Sequence, residues 1–250
     1  MTRISIITVA YNSAATIQAT LRSVASQTHG EVEHIVIDGA STDGTVALLH
    51  QHGAHAMRWV SERDAGIYDA MNKGVRLASG DVIGFLNADD RYAHAQVLAH
   101  VAQAMEQEPL DALLGDAAFF HADAPERLVR RYDSGRFHPR KIGWGWMPAH
   151  PAAFFRRGVF ARTGEFKTDY RIAGDYEWIA RAFQHSPLHY RHLPEVLVHM
   201  QTGGISTRGW RSTLLLNQEV LRACRENGIP TSWAKILSKY PRKLLELVRT

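Results

Sequence analysis

Gly80 to Asp90 reads GDVIGFLNADD: an apolar run, Val82 to Leu86, that stops abruptly in an amide, a small residue and two carboxylates. A short continuous apolar run suits a strand buried on both faces, as in a parallel sheet, and open α/β sheets bind ligands beyond the carboxyl ends of such strands. The N-terminal chain repeats the pattern. Ile4 to Val9 (ISIITV) leads into Tyr11-Asn12, His34 to Ile37 (HIVI) into Asp38, and a strand at Arg58 to Ser61 into Glu62-Arg63-Asp64. Helical spacing fills the intervals: Ile17, Leu21 and Val24 after Ser13 as N-cap, a turn at Asp38 to Gly44 opening a second helix, and a helix from Ile67 to Ala78. This β-α alternation predicts an α/β fold with a mostly parallel central sheet flanked by helices.

Beyond Asp90 the pattern is less regular. It predicts helices at Val97 to Gln107 and Tyr176 to Gln184, strands at Ala112 to Phe120, Arg127 to Tyr132, Ala152 to Arg156 and Glu195 to His199, an irregular Ile142 to Pro148, and two C-terminal helices. Residues 1–206 read as one domain of two halves, 1–90 and 91–206; 207–250 read as a basic helical extension. At 250 residues, 45% hydrophobic and 22% charged, the chain has the composition of a globular domain with a sizeable core. One cysteine, Cys224, permits no internal disulfide. That suits a reducing compartment, and with no export signal and no run of apolar residues long enough to span a bilayer, a cytoplasmic location is expected.

Adjacent carboxylates such as Asp89 and Asp90 repel one another unless a cation or basic group screens them, and hard divalent ions favour oxygen ligands together with phosphates. The 14 histidines raise the question of zinc. His185, His189 and His192 are interrupted by Pro187, and His50, His52 and His55 cluster near a helix end, so both groups read as ordinary surface or core histidines. Ser41 and Asp43 read equally well as helix caps.

Taken together, IITVAYN (6–12), DGASTDGT (38–45), SERDAGIYDAMNKG (61–74) and GDVIGFLNADD (80–90) resemble the family 2 glycosyltransferases of GT-A fold, in particular bacterial members that build exopolysaccharides or lipid-linked glycans. The likeness is strong over the first 90 residues, which it makes the nucleotide-binding half, and looser to about Ser206, over the acceptor half. It implies an inverting transfer of a sugar from a nucleotide-diphosphate donor, with uridine as the expected base, to an acceptor hydroxyl. The family's Asp-x-Asp falls on Asn87, Ala88 and Asp89, with Asp90 following. Since Asn87 carries no charge, Asp89 and Asp90 become the ligands expected for Mn²⁺ or Mg²⁺, and His199 is a further one. Thr8, Ala10, Tyr11, Asn12, Asp38, Asp64, Asn72, Lys73, Asn87 and Ala88 would line the nucleotide site. Asp38 stands where an acidic residue meets a pyrimidine N–H, although Gly39 replaces the second aspartate of many relatives. Arg63 and Asp64 either pair or close over the donor. Ala173 to Trp178 (AGDYEW) matches the family's base segment, making Asp175 the general base or a helix cap, or both. His150, Trp146 and Glu177 are assigned to the sugar or acceptor region. Trp144 and Trp146 suit either stacking on a sugar face or packing under the C-terminal helices.

Lys235, Lys239, Arg242, Lys243 and Arg249, against Glu246 alone, hold the whole excess of the +4 net charge. Residues 231–250 therefore suit peripheral contact with an anionic leaflet, or docking on the domain or at a homodimer seam. The neutral body offers no footprint for nucleic acid. Two rivals remain: a non-catalytic nucleotide-sugar-binding subunit, and a sugar nucleotidyltransferase, which the absence of a Gly-rich basic loop after the first strand disfavours.

Overall fold

The computed structural model describes residues 1–52, 57–185, 187–203 and 209–238. Strand β1 (Ile4–Ala10) is buried at every position. Parallel to it run β2 (Val32–Asp38) on one side and β4 (Val82–Phe85) on the other, with β3 (Met57–Ser61) beyond β2. Between them lie α1 (Ile17–Ala25), α2 (Thr45–His52) and α3 (Ile67–Leu77). Ile7 and Val9 point into a core shared with Tyr68 and Met71 of α3, while Ile4 and Ile6 point to the opposite face, so strict alternation in β1 serves two buried faces. Gly74 lets α3 lie close on the sheet, because a Cβ there would stand 2.4 Å from Ile7 Cγ2. Ser13 accepts the Thr16 and Ile17 N–H groups through its carbonyl and not its side chain, whose hydroxyl donates to the Tyr11 carbonyl; the expected side-chain cap is not formed.

The second half comprises β5 (Arg91–Tyr92), α4 (Val97–Gln107), β6 (Ala112–His121), β7 (Ala124–Tyr132), β8 (Ala153–Arg156), α5 (Arg157–Thr163), α6 (Gly174–His185), β9 (Tyr190–Gln201), α7 (Gly209–Glu226) and α8 (Trp233–Leu237). The sheet order is β3-β2-β1-β4-β8-β6-β9-β5, with β7 also on β6. Its N-terminal half is wholly parallel and its second half mixed, because β8 runs antiparallel to both β4 and β6. Strand β9 is longer than its apolar centre predicts. It takes in Pro194 at a register irregularity opposite Leu114 to Ala117, the kind of site where a residue without an N–H is tolerated. The two-residue β5 and the seven-residue α5 carry too little pattern to be read from sequence. Val220, Leu221, Ala223, Cys224 and Ile236 join the same core as Tyr176 and Phe183, so α7 and α8 are integral to the domain. Among the described residues no helix is long and apolar enough to cross a membrane; residues 239–250 of the basic tail, His55 and the 206 boundary lie outside them.

Candidate functional site

The parallel register sets Ala10, Asp38 and Ser61 side by side at the carboxyl edge of the sheet. Two non-glycine residues there adopt left-handed backbone, Asn12 (φ 49°) and Ala40 (φ 61°), and such strain persists only where neighbours enforce it. Asn12 N–H donates to Ser41 Oγ (2.7 Å), and Asn12 Oδ1 accepts the Thr42 N–H (2.9 Å). Asp38 is fully buried, its carboxylate accepting from Ser61 Oγ (2.6 Å) and from both the N–H and hydroxyl of Ser41. Its role is thus to tie two strand-end loops together, and the expected contact with a base would require one of these bonds to yield. A Cβ on Gly39 would stand 2.5 Å from Asp64 Oδ2 and 3.4 Å from the exposed Tyr11 ring. The carboxylate of Asp64 fills the room that a second aspartate would need.

Other members of the expected nucleotide set turn inward. Thr8 is buried and shares a 3.0 Å hydrogen bond with His34, whose imidazole burial pushes down to about 4, so it is neutral. Asn72 exchanges two 2.8 Å hydrogen bonds with the Phe166 backbone. It braces the acceptor half and does not face a ligand. Lys73 donates to the Arg63 carbonyl (2.9 Å) and pairs with Glu62 (2.8 Å), holding the 61–66 loop. Asp43 caps α2 through Thr45 and also accepts the Ala14 N–H, as its cap reading anticipates.

At the end of β4, Asn87 and Asp89 are half-exposed and Asp90 is buried. Asp90 accepts from Asn87 Nδ2 (3.0 Å) and the Gln201 N–H (3.3 Å), while Thr20 Oγ1 donates to its carbonyl (2.7 Å). Burial, and then the charge of Asp89, raise Asp90 well above the usual carboxylate range. The expected pair of metal ligands therefore separates into one accessible carboxylate, Asp89, and one internal brace. His199 is in register with Arg91, and its charged surroundings are Arg91, Glu126 and His94; burial lowers its pKa. His192 accompanies Arg131 on the buried Asp116, and with Asp116 and Asp133 it forms a group that could hold a metal ion. His94 and His100 share Glu195.

Asp175 lies half-buried in the first turn of α6, where the helix dipole favours negative charge. One oxygen accepts the Tyr176 N–H (2.8 Å) and faces Tyr68 Oη at 3.4 Å, leaving Oδ2 without a hydrogen bond among the described residues. Tyr68 also donates to the Ile172 carbonyl (2.7 Å), and burial followed by the Asp175 charge raises its pKa well up. Gly174 is required here, since a Cβ would lie 2.7 Å from the Tyr68 ring. Asp175 thus satisfies one first-turn N–H of α6, and the N–H groups just before the helix have a different partner. Glu219, buried on α7, accepts the N–H groups of Arg171 (2.8 Å), Ile172 (2.9 Å) and Ala173 (2.8 Å). Sequence reading misses Glu219, although a carboxylate in the apolar stripe before Val220 and Ala223 was its signal.

His150 is buried against Phe85 (centroids 5.0 Å), and neither ring nitrogen has a partner. Burial lowers its pKa and the charge of Asp175 acts in the opposite sense, so its neutral ring stands within the field of that carboxylate. Glu177, by contrast, is fully buried and paired with Arg181 (3.0 Å) and Lys167 (3.1 Å); it is a core ion cluster, not an acceptor contact. Trp146 lines a hollow with Lys141, Trp144 and Ser238.

A half-parallel α/β sheet with an accessible carboxylate at the end of β4 and a second at the start of α6 is the arrangement of a GT-A glycosyltransferase. The model of glycosyl transferase family 2 matches residues 5–164, and the chain belongs to that family. It is 38% identical over 182 residues to an uncharacterized glycosyltransferase of Mycobacterium tuberculosis, covering 72% of this chain and 68% of the relative. It is 35% identical over 207 residues to a PGL/p-HBAD biosynthesis glycosyltransferase of the same species, covering 81% and 78%. S. aureus TarS 1–349 in complex with UDP-GlcNAc superposes with a TM-score of 0.69 at 18% identity, over 88% of this chain and 66% of that one; the chain spans 40% of the longer TarS chain. Mannosyltransferase PcManGT from Pyrobaculum calidifontis, in complex with GDP-Man and Mn2+, gives 0.64 at 20% identity, over 88% and 64%. At such identities these structures establish the fold.

Proposed function

We propose that this glycosyltransferase moves a sugar, with inversion, from a nucleoside-diphosphate donor, a UDP-sugar first among them, to an acceptor hydroxyl in surface polysaccharide or lipid-linked glycan assembly on the cytoplasmic side. The observation that carries the reading is the open oxygen of Asp175, fixed by Tyr68 and Tyr176 on a turn that Glu219 clamps. Tyr68 belongs to α3, which follows the Ser61 to Asp64 loop at the donor edge, so the base and the donor loop share one rigid support. Asp175 Oδ2 removes the acceptor proton as the hydroxyl oxygen bonds the anomeric carbon, and the nucleoside diphosphate leaves from the opposite face. Tyr11 offers an aromatic face to the base, and Asp64, in the room beside Gly39, offers an acceptor for its N–H or for a ribose hydroxyl. His150, buried with both nitrogens unpartnered, is assigned to a sugar hydroxyl that would reach it once the surrounding side chains shift. The half-exposed carboxylate of Asp89, with the Asn87 amide beside it, suits a hard divalent ion, and Mn²⁺ or Mg²⁺ held there would supply positive charge to the leaving diphosphate.

The UDP-GlcNAc complex of TarS and the GDP-Man complex of PcManGT support a nucleotide-sugar donor, and the PGL/p-HBAD biosynthesis relatives support a role in glycan assembly. The test is a thermal-shift screen with UDP, GDP, dTDP and CMP, each with and without Mn²⁺ or Mg²⁺, followed by transfer assays with the selected donor. Asp175→Asn is expected to keep the nucleotide shift and lose nucleotide release. Equal release by that variant would return the protein to the class of binding subunits.

A further inference from the structure

Four of the six tryptophans, Trp144, Trp146, Trp210 and Trp233, lie in three segments that meet at one end of the molecule. Between α7 and α8 runs a groove of about 570 Å³ lined by Trp210, Thr213, Leu214, Asn217, Trp233 and Leu237. Trp210 is 72% exposed, and Leu214 and Leu237 are each 46% exposed. Next to it, Lys141, Trp144, Trp146 and Ser238 line a second hollow. The segments are bound together: Thr231 Oγ1 donates to the Gly143 carbonyl (2.8 Å), and Lys235 Nζ lies 5.6 Å from the Trp144 ring centre.

The charge of this end is one-sided. Residues 138–148, 209–218 and 231–238 contain no Asp or Glu, although the chain has 25, and they contain Arg140, Lys141, Arg211 and Lys235. The Arg211 guanidinium sits 5.3 Å from the centre of Trp210. From Ser238, at the rim, twelve more residues follow, with Lys239, Arg242, Lys243 and Arg249 against Glu246 and with Leu244, Leu245 and Val248 among them.

We infer that this composite face docks the protein on an anionic lipid surface. Indole rings combine an apolar body with a polar N–H and settle at the boundary of headgroups and acyl chains, and basic residues beside them add attraction to anionic headgroups. A second copy of the chain would oppose its cations to the same cations, so an isologous dimer is disfavoured on this face. The face also connects to the site. The Tyr176 hydroxyl donates to the carbonyl of Ile142, two residues before Trp144, and α7 carries both Trp210 and Glu219, so a docked lipid surface is held in fixed relation to the turn bearing Asp175. The inference does not depend on which sugar is moved.

The full chain is mixed with vesicles of phosphatidylcholine alone or with about one-third phosphatidylglycerol, and flotation and tryptophan emission are followed. Binding to the anionic vesicles only, with a blue shift, is expected. Trp210→Ser with Trp233→Ser, and separately Arg211→Glu with Lys235→Glu, are each expected to weaken binding by about tenfold or more, as is salt of about 0.5 M. Trp210, Arg211 and Trp233 are exposed and Lys235 is half-buried, and if the tryptophan pair unfolds the charge pair carries the test alone. Absence of binding by the full chain overturns the proposal. So does binding unaffected by either pair, which would assign the contact to residues 239–250 alone, and so does a dimer by light scattering that either pair dissociates. Asp89→Asn is expected to lose metal-dependent nucleotide binding and to float as the wild type does, so failure of the catalytic reading leaves this inference separately testable.

Discussion

Replacing Glu219 tests whether one carboxylate outside the donor half sets the position of the turn that bears Asp175. It receives three backbone N–H groups at 2.8 to 2.9 Å, but these differ in what they lose. Arg171 is exposed, so its N–H returns to water; Ile172 is half-buried, and Ala173 is fully buried. An unsatisfied buried donor costs about 1–3 kcal/mol. Glu219→Ala should therefore destabilise the fold by about 3 kcal/mol, chiefly through Ala173, and Glu219→Gln, which retains one acceptor oxygen, by about 2 kcal/mol. The assay is urea denaturation combined with hydrogen exchange on the peptide spanning residues 166–177. Exchange should accelerate about tenfold or more at Ile172 and Ala173, and turnover should fall with donor affinity preserved, since the hydrogen-bond partners of Glu219 are Arg171, Ile172 and Ala173, outside the donor half. Denaturation within about 0.5 kcal/mol of wild type together with unchanged exchange would refute the reasoning.

Three further outcomes are expected. Asp89→Asn should abolish the metal-dependent nucleotide shift, whereas Asp90→Asn, which substitutes a neutral isostere for a carboxyl that burial already drives toward its protonated form, should keep affinity within about threefold; equal losses would mean both ligate. His34, held at about 4 against 6.5 for a free imidazole, takes up its proton first in the unfolded chain. The stability it permits is complete above about pH 6.5 and is lost as pH falls toward about 4, a difference of about 2 kcal/mol between about pH 7.5 and 5 that should vanish from the denaturation curves of His34→Gln. Gly39→Ala should displace Asp64, whose Oδ2 stands 2.5 Å from the new methyl position, and weaken nucleotide binding about tenfold or more by calorimetry. An unchanged affinity would remove Asp64 from the donor site.

How much could be read in advance followed the range of the interactions. The four parallel strands and their helices were legible because continuous apolar runs and 3.6-residue spacing are local consequences of two-faced burial. Asp175 and the Asn87 to Asp90 loop were legible as well, since family motifs fix residue types at strand and helix ends. Whether a polar residue in such a motif meets a ligand or the protein interior was not. Thr8, Asn72 and Glu177 sit in the right segments, yet their partners are His34, the Phe166 backbone and Arg181 with Lys167, and all but Arg181 are distant in sequence. The sequence by itself determined the α/β class, the family and the carboxyl edge of the sheet, because these rest on periodicity and short motifs. Only the tertiary structure decided that Asp89 and not Asp90 is accessible, that Glu219 clamps the turn before Asp175, and that four tryptophans from three segments line neighbouring hollows. Each depends on which groups meet across the fold, and that is settled by packing between residues far apart in sequence, 46 for Glu219 with Ala173 and 111 for Asp90 with Gln201, where no local pattern records it.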